Sequence, residues 1–343
     1  MSYFAKFKSF FWFLMKLALA GGIVFYLVFN NPTEIVDCFK NFNYIWLVPA
    51  LLAYLFHILV CAWRWHRLTR ILQVQLSWFE ALSLTMQGFF FSLVIPGGAI
   101  GGDVVKMGVL SRRSPPGTKV EGAFTILMDR IVGMIALFIL ALLLLIPSIP
   151  VLMKIDVPNF AIDDRMRILF IFGLAGLCLA GLVCSSIIFF HRTIEKLPLA
   201  GRLINWADHI SHGMVRRLTS AVDVYIGSWL ELGKLTIISV FLVHIMTVIS
   251  FTFLMIGLGL QVSFLTLLIA VTVGNIVGLI PLFPAGVGGR DVAIVTILVA
   301  GSVSVGDAKT GQLLYTAIVL FFNLISGLFF IFDRGRVNAE ITG

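Results

Sequence analysis

Charged side chains are scarce in this chain, and their scarcity is the first constraint on its fold. They make up 12% of the 343 residues, whereas hydrophobic residues make up 59%. Water-soluble domains carry about 25% charged residues, so the composition excludes an ordinary soluble domain. Apolar runs such as ILFIFGLAGLCLAGLVCSSIIFF, over 168–190, are long enough to cross a hydrocarbon core of about 30 Å. The sequence therefore predicts an integral membrane protein.

Motifs for metal, nucleotide and nucleophilic chemistry are also missing. The four cysteines form no C-x-x-C pair, and we interpret them as small core residues: Cys38, Cys61, Cys178 and Cys184. The sequence has no G-x-x-x-x-G-K-[ST] phosphate loop and no H-E-x-x-H pair. We therefore expect no metal, no cofactor and no ATP hydrolysis by this chain. The net charge of +8 does not indicate nucleic-acid binding, because the basic residues cluster at the ends of apolar segments.

A glycine-rich phrase with a charged centre occurs twice in the sequence. IPGGAIGGDVVK covers 95–106, and FPAGVGGRDVAI covers 283–294, 188 residues later. In each phrase an Asp-Val pair begins seven residues after the proline. Proline and glycine interrupt helices, so each phrase divides an apolar segment, one over 79–110 and the other over 264–300.

The basic residues predict how these segments cross the membrane. Uninterrupted spans are predicted at 9–29, 44–63, 122–147, 168–190, 235–257 and 311–332. Basic clusters flank the divided segment 79–110 on both sides, and the positive-inside rule assigns both clusters to the cytoplasm. That segment therefore enters and leaves from one side, as a re-entrant hairpin. The basic loop 191–234 and the last span place both ends of 264–300 outside by the same reasoning.

The predicted fold is an all-α polytopic membrane domain with six spanning helices and two opposed re-entrant hairpins, arranged as an inverted repeat. The first repeat covers 1–150 and the second covers 165–343, with both termini in the cytoplasm. LFHI at 55–58 and LVHI at 242–245 agree with this repetition. Residues 196–231 are predicted to form a cytoplasmic amphipathic elbow, with Trp206 and Tyr225 at headgroup depth.

The two hairpin tips are predicted to bind an anion. A helix that restarts after a break points free N–H groups and the positive end of its dipole at the break. Lys106 and Arg290 add full positive charge, which suits a phosphate headgroup. The candidate binding or transport residues are Gly98, Gly101, Gly102, Asp103, Lys106, Arg130, Pro284, Gly286, Gly288, Gly289, Arg290 and Asp291. No catalytic residue is proposed.

The carboxylates and histidines inside the apolar segments allow several roles. Asp103 and Asp291 would cap their own helix starts, pair with Lys106 or Arg290, or carry a proton that couples transport. A purely architectural ion pair is the alternative to a ligand site. Asp129, His57 and His244 are candidates for coupling, although a histidine in a span also serves as a polar contact between helices. Arg130 would reach the hairpin or a lipid phosphate, or extend to the interface.

The paired phrases, together with DRIVG at 129–133, resemble the signatures of the lysylphosphatidylglycerol synthase transmembrane-region family, also called flippase-like membrane proteins. By position, Gly101, Gly102 and Asp103 match the first-hairpin pattern of that family, with Lys106 where arginine is common. Pro284, Gly286, Gly288 and Arg290 match the second, with Asp291 where glutamate is usual. The last span has Thr316 where the family often has arginine.

The resemblance implies a bacterial or archaeal cytoplasmic-membrane protein that moves lipids between leaflets. The expected ligand is a lipid with an anionic headgroup, such as a phospholipid, an aminoacyl-phospholipid or a polyprenyl phosphate. Enzymes of lipid or glycan biosynthesis and a second copy of the chain are candidate partners. Only eleven residues follow Phe332, so we expect no aminoacyl-transfer activity in this chain.

The sequence is also compatible with two other functions. One is a non-transporting membrane partner of a lipid or glycan biosynthesis complex. The other is an intramembrane enzyme in which Asp103 and Asp291 act as a proton-sharing dyad. The Gly-x-Gly-Asp motif of intramembrane aspartyl proteases is not matched, because Ile100 stands three residues before Asp103.

Overall fold

The structure is a computed structural model that describes residues 37–95, 99–113, 119–156, 162–197, 202–280 and 288–342, apart from 39, 203, 205, 207 and 212. Within these ranges the fold is helical and contains no β-strand. A 3-10 turn, Tyr44–Trp46, precedes the first long helix. The described helices are α1 Leu47–Ile71, α2 Trp78–Val94, α3 Ala99–Arg113, α4 Lys119–Leu152, α5 Asp164–Ser186, α6 His191–Glu195, α7 Met214–Gly227, α8 Trp229–Gly257, α9 Phe264–Gly278, α10 Gly289–Ala300 and α11 Val305–Thr342.

Five helical segments of the described chain are long and apolar enough to cross a membrane. They are Tyr44–Ile71, Lys119–Leu152, Asp164–Glu195, Trp229–Gly257 and Val305–Phe332. These segments contain five of the six predicted spans. The sixth, 9–29, lies outside the described residues.

Both divided segments are pairs of short helices. α2 and α3 have 17 and 15 residues, and α9 and α10 have 15 and 12. A spanning helix needs about 20 residues, so each of these helices is short for a crossing. The connections hold 96–98 and 281–287, which lie outside the described residues together with the predicted site residues Gly98, Pro284 and Gly286.

Glycine sets the distance between the two helices of each pair. A Cβ atom on Gly102 would lie 2.1 Å from the carbonyl oxygen of Gly88, so α2 and α3 meet backbone to backbone. A Cβ atom on Gly274 would lie 2.5 Å from Ile294 Cγ1 and 3.2 Å from Arg290 Cγ, so α9 meets side chains of α10. Small residues allow such close approach between helices in membranes.

α1 and α8 lie against each other in opposite directions. Residue numbers rise along α1 as they fall along α8, as three hydrogen bonds show: Ser250 to Ala50, His57 to Val243 and Arg64 to Ser239. The middle of α8, Ser239–His244, is a π-helical turn, a feature that is frequent at functional sites.

α4 and α11 each contact both helix pairs. α4 packs against α3 of the first pair and against α9 and α10 of the second. α11 packs against α10 of the second pair and against α2 of the first, where Phe91 and Phe330 meet edge to face at 5.0 Å. The two pairs are therefore held between the same two long helices.

The predicted elbow is not one continuous interfacial helix. Gly213, with φ +83°, lies at a turn before α7, so the predicted helical face is interrupted there. Trp206 is exposed, as expected, but the prediction for Tyr225 was wrong because its side chain is fully buried. Its hydroxyl donates to the carbonyl oxygen of Leu68 over 3.0 Å, which fixes α7 to the end of α1.

Tyr225→Phe is expected to lower the free energy of unfolding by about 1 kcal/mol or slightly more, because the Leu68 carbonyl loses a buried hydrogen bond. The change is measured as the shift in the denaturation midpoint of the detergent-solubilised protein. Trp206→Phe, at a position 65% exposed, serves as the control and should leave the midpoint in place. Equal midpoints for wild type and Tyr225→Phe would show that the hydroxyl does not stabilise this contact.

Candidate functional site

The start of α10 is the centre of a buried polar cluster, which we call the second-pair cluster: Arg290, Asp291, Gln312 and Thr316. Asp291 Oδ2 accepts from the backbone N–H of Gly288 over 2.9 Å, so Asp291 caps its own helix as predicted. Asp291 Oδ1 accepts from Gln312 Nε2 at 2.6 Å and from Thr316 Oγ1 at 3.0 Å.

Arg290 completes the second-pair cluster. Its Nη2 atom donates to Asp291 Oδ1 over 3.2 Å and to Thr316 Oγ1 over 3.1 Å. Its Cζ atom lies 5.3 Å from the centroid of the Tyr315 ring, within cation–π range. Arg290 and Asp291 are 6% and 2% exposed, so this ion pair is buried. A buried pair with this many hydrogen bonds is well compensated for its lost hydration.

The first helix pair carries a different ion pair. Arg130 Nε on α4 donates to Asp103 Oδ2 on α3, and Arg130 Nη2 donates to the carbonyl oxygen of Ala99 over 2.7 Å. Asp103 thus pairs with Arg130 and not with Lys106, whose pairing with Asp103 was one of the three roles considered for this carboxylate. Arg130 does reach the hairpin, as one prediction proposed. Its side chain in this pair is 31% exposed, and that of Asp103 is 22% exposed.

Lys106 occupies a separate buried position. Its Nζ atom lies 3.4 Å from the centroid of the Trp65 ring, and the residue is 5% exposed. Trp65 is itself fixed, because its Nε1 atom donates to Thr125 Oγ1 over 3.0 Å. Cation–π contacts of this kind stabilise an ammonium group that has left water. The predicted contribution of Lys106 to the tip of the first hairpin is therefore not seen, since its charge lies against α1.

Asp129 belongs to a third ion pair, with Arg64, which is partly buried and joins three helices. Its Oδ1 atom accepts from Arg64 Nε on α1 over 2.8 Å, and Arg64 Nη1 donates to Ser239 Oγ on α8 over 3.0 Å. Gly133 leaves room for this guanidinium, because a Cβ atom there would lie 3.2 Å from Arg64 Nη1. Asp129 and Arg130 are neighbours in sequence but serve different partners, as expected from their different helix faces.

The two histidines make contacts between helices. His57 Nδ1 lies 3.0 Å from the carbonyl oxygen of Val243, and His244 Nε2 lies 3.2 Å from that of Gly133. Each geometry is that of a satisfied polar contact, which was the alternative to a coupling role. Val243, which accepts in the first contact, and His244 both belong to the π-helical turn of α8.

Three residues near the second-pair cluster were missed or undervalued in the sequence. Gln312 and Thr316 hold Asp291, and Lys309, which is 6% exposed, lies on the same face of α11. The spacing of 309, 312 and 316 places them on one helix face. That polar periodicity inside an apolar run was the signal that could have identified them.

These features define a polytopic α-helical membrane protein whose two broken helix pairs bury charged side chains. A family model described as the lysylphosphatidylglycerol synthase TM region matches residues 13–327. The match covers most of the chain, so the protein belongs to this family, which confirms the resemblance noted in the sequence. Comparisons with curated proteins and with solved structures gave no match.

Proposed function

We propose that this protein is a lipid transporter that moves an anionic-headgroup lipid between the leaflets of a bacterial or archaeal cytoplasmic membrane. The observation that carries the proposal is an arginine–aspartate pair at each of the two helix breaks of a membrane domain, buried at the second break and partly buried at the first. Ionisable groups at membrane depth are costly, and they commonly mark substrate pathways. Membership of a family named for a lipid synthase membrane region agrees with a lipid as the ligand.

We further propose that the architecture is an inverted repeat with two re-entrant hairpins. An offset of about 187 residues relates α1 to α8, α2 to α9, α3 to α10 and α4 to α11. The related helices α1 and α8 are antiparallel, as a two-fold axis in the membrane plane requires. The same two-fold rotation would carry α4 onto α11 and α9 onto α2. It would therefore turn the contact between α4 and α9 into a contact between α11 and α2, and both contacts are present.

In this mechanism the headgroup passes along the polar residues of the two helix breaks while the acyl chains stay in the lipid. The Arg130–Asp103 and Arg290–Asp291 pairs provide a positively charged group on each side of the path. A phosphate would compete with the carboxylate for each guanidinium, so binding and release exchange one charged partner for another. Rocking of one repeat against the other would alternate access from the two leaflets.

An aspartyl dyad is not favoured by the geometry. Among the described residues, the side-chain partner of Asp103 is Arg130, whereas Asp291 is held by Arg290, Gln312 and Thr316. Carboxylates that share a proton must be hydrogen-bonded to each other, and each of these carboxylates instead has its own cationic partner. We therefore propose a transport function without catalysis, and no described contact specifically favours a passive partner role.

The test is transbilayer movement in proteoliposomes. Acyl-chain-labelled phosphatidylglycerol, lysylphosphatidylglycerol, polyprenyl phosphate and a zwitterionic control are followed by quenching of the outer-leaflet label. Arg290→Gln and Arg130→Gln are each expected to slow the anionic lipid about tenfold or more, because each removes a charged hydrogen bond of about 1.5–3 kcal/mol.

Arg192→Gln is the matched control, because Arg192 is an arginine paired with Asp223 on the surface and its side chain is 73% exposed. It should transport like the wild type. Wild-type rates equal to those of empty liposomes for every lipid, with folded protein and an imposed gradient, would reject the transport proposal and favour the partner role.

A further inference from the structure

We propose that Gln312 is the specificity-determining residue of the second-pair cluster, and that it recognises a hydrogen-bond donor on the headgroup. The ligand class is a phosphate ester whose alcohol part carries a hydroxyl group close to the phosphate. The inference rests on the proposed transport function and adds to it a rule for choosing among anionic lipids.

The side-chain amide of Gln312 has one satisfied end and one unsatisfied end. Its Nε2 atom donates to Asp291 Oδ1 and lies 3.2 Å from Thr316 Oγ1, so the carboxylate fixes which end of the amide is the donor. Its Oε1 atom is buried and has no hydrogen-bond partner in the described part of the chain. Gln312 is 1% exposed. A buried acceptor without a donor is destabilising, so a ligand that supplies the donor gains affinity.

The charge around Gln312 favours an anion. Arg290 and Lys309 carry two positive charges against the single negative charge of Asp291, and all three residues are buried. Among the described hydrogen bonds, Arg290 donates through Nε and Nη2, and none involves Arg290 Nη1 or the side chain of Lys309. An Arg290 Nη1 group and a Lys309 ammonium group are therefore the donors left for a phosphate. The first-turn N–H groups of α10 add to this preference.

The distance between the phosphate-binding donors and the acceptor Gln312 Oε1 limits the shape of the ligand. Lys309 and Gln312 are three residues apart on α11, so their Cβ atoms are separated by about 5–6 Å. Arg290 Nη2 and Gln312 Nε2 share Asp291 Oδ1 and Thr316 Oγ1 as acceptors, so a phosphate bound to Arg290 would place the next atoms of its alcohol near the Gln312 amide. A hydroxyl at that point donates to Oε1, whereas a methyl or methylene group leaves it unpaired. Sites built to bond a hydroxyl reject analogues that lack it.

The experiment compares two lipids that differ only in the hydroxyl groups of their headgroups. Acyl-chain-labelled phosphatidylglycerol and phosphatidylpropanol have the same charge and the same chains, but the propanol headgroup has no hydroxyl. Wild-type protein in liposomes is expected to move phosphatidylglycerol about tenfold faster than phosphatidylpropanol. Gln312→Leu is expected to remove this preference, so that the ratio of the two rates falls to about one, whatever the lost hydrogen bond to Asp291 does to both rates.

Ser148→Ala is the matched control, because Ser148 Oγ is another buried atom without a partner in the described residues, on α4. It should keep the wild-type preference. If Gln312→Leu does not fold, since Gln312 also holds Asp291, the wild-type comparison of the two lipids, taken together with that of two soluble esters, can still overturn the inference. A preference that survives in folded Gln312→Leu would overturn the role of Gln312.

Soluble esters identify the source of the ligand. Thermal unfolding in detergent is followed with glycerol 3-phosphate and with propyl phosphate. If the two lipids move at equal rates and only glycerol 3-phosphate stabilises the protein, Gln312 still recognises a hydroxyl-bearing phosphate ester. The ligand is then a soluble ester and not a lipid. Equal movement of the two lipids and equal effects of the two esters would overturn the inference, leaving a water molecule as the partner of Gln312. Absence of movement for every lipid would instead contradict the transport function.

Discussion

Arg64→Met is expected to lower the free energy of unfolding by about 3–5 kcal/mol, because it leaves the Asp129 carboxylate buried without a counter-ion. The guanidinium of Arg64 joins α1 to Asp129 on α4 and to Ser239 on α8, and its side chain is 7% exposed in the ion pair. Methionine keeps most of the aliphatic volume, so the loss reports the charge and its hydrogen bonds. The measurement is chemical denaturation of the detergent-solubilised protein, followed by circular dichroism.

Two controls make this result specific. Arg192→Met removes one partner of the surface Arg192–Asp223 pair and is expected to leave the denaturation midpoint in place, because exposed ion pairs contribute little. Arg64→Met combined with Asp129→Leu removes both charges and should recover part of the loss, since no unpaired carboxylate is left buried. A single Arg64→Met variant as stable as wild type would show that the pair does not hold the three helices together.

Gly102→Ala is expected to destabilise the protein by about 3 kcal/mol, at the upper end of the range for overpacked cores. The new Cβ atom would lie 2.1 Å from the carbonyl oxygen of Gly88, and a backbone atom on a helix cannot move aside as a flexible side chain does. The two helices of the first pair would have to separate. The expected result is a lower denaturation midpoint and slower lipid movement in the same preparation.

Gly108→Ala is the control on the same helix. A Cβ atom on Gly108 has no heavy atom within 4 Å among the contacts described, so alanine is accommodated there. Because alanine favours a helix over glycine by about 0.5–1 kcal/mol, this variant should be slightly more stable than wild type. The same substitution on one helix is thus expected to act in opposite directions. Equal destabilisation by both would mean that α3 does not tolerate added volume anywhere, and that the Gly88 contact does not set the cost.

Much of the fold could be predicted from the sequence because the bilayer limits what a hydrophobic run can do. Runs of about 20 apolar residues predict helices by length alone, and five predicted spans coincide with described helices. Pro and Gly in the repeated phrase likewise predicted where the shorter helices are interrupted. The elbow was harder, because Tyr225 fits a membrane interface and a buried hydrogen bond equally well by periodicity.

The partners of the charged residues could not be predicted, because ion pairing depends on which helices meet. Asp103 is three residues from Lys106, a spacing that favours their pairing, yet Arg130 from α4 takes the carboxylate and Trp65 from α1 takes the ammonium. The same limit applies to Arg64, whose partners Asp129 and Ser239 lie 65 and 175 residues away in sequence. Asp291 was the exception, because a cap is a local interaction within one turn of helix.

The two helix pairs differ in the kind of contact that holds their two helices together. The first pair meets through the main chain at Gly88 and Gly102, and that contact has no rotamers with which to adjust. In the second pair Gly274 faces the stem of Arg290, whose guanidinium lies in the second-pair cluster. Under the proposed function, a headgroup that draws this guanidinium toward itself would also shift the Arg290 stem, which lies with Ile294 against Gly274 of α9. Headgroup binding would then be coupled to the packing of α9 against α10.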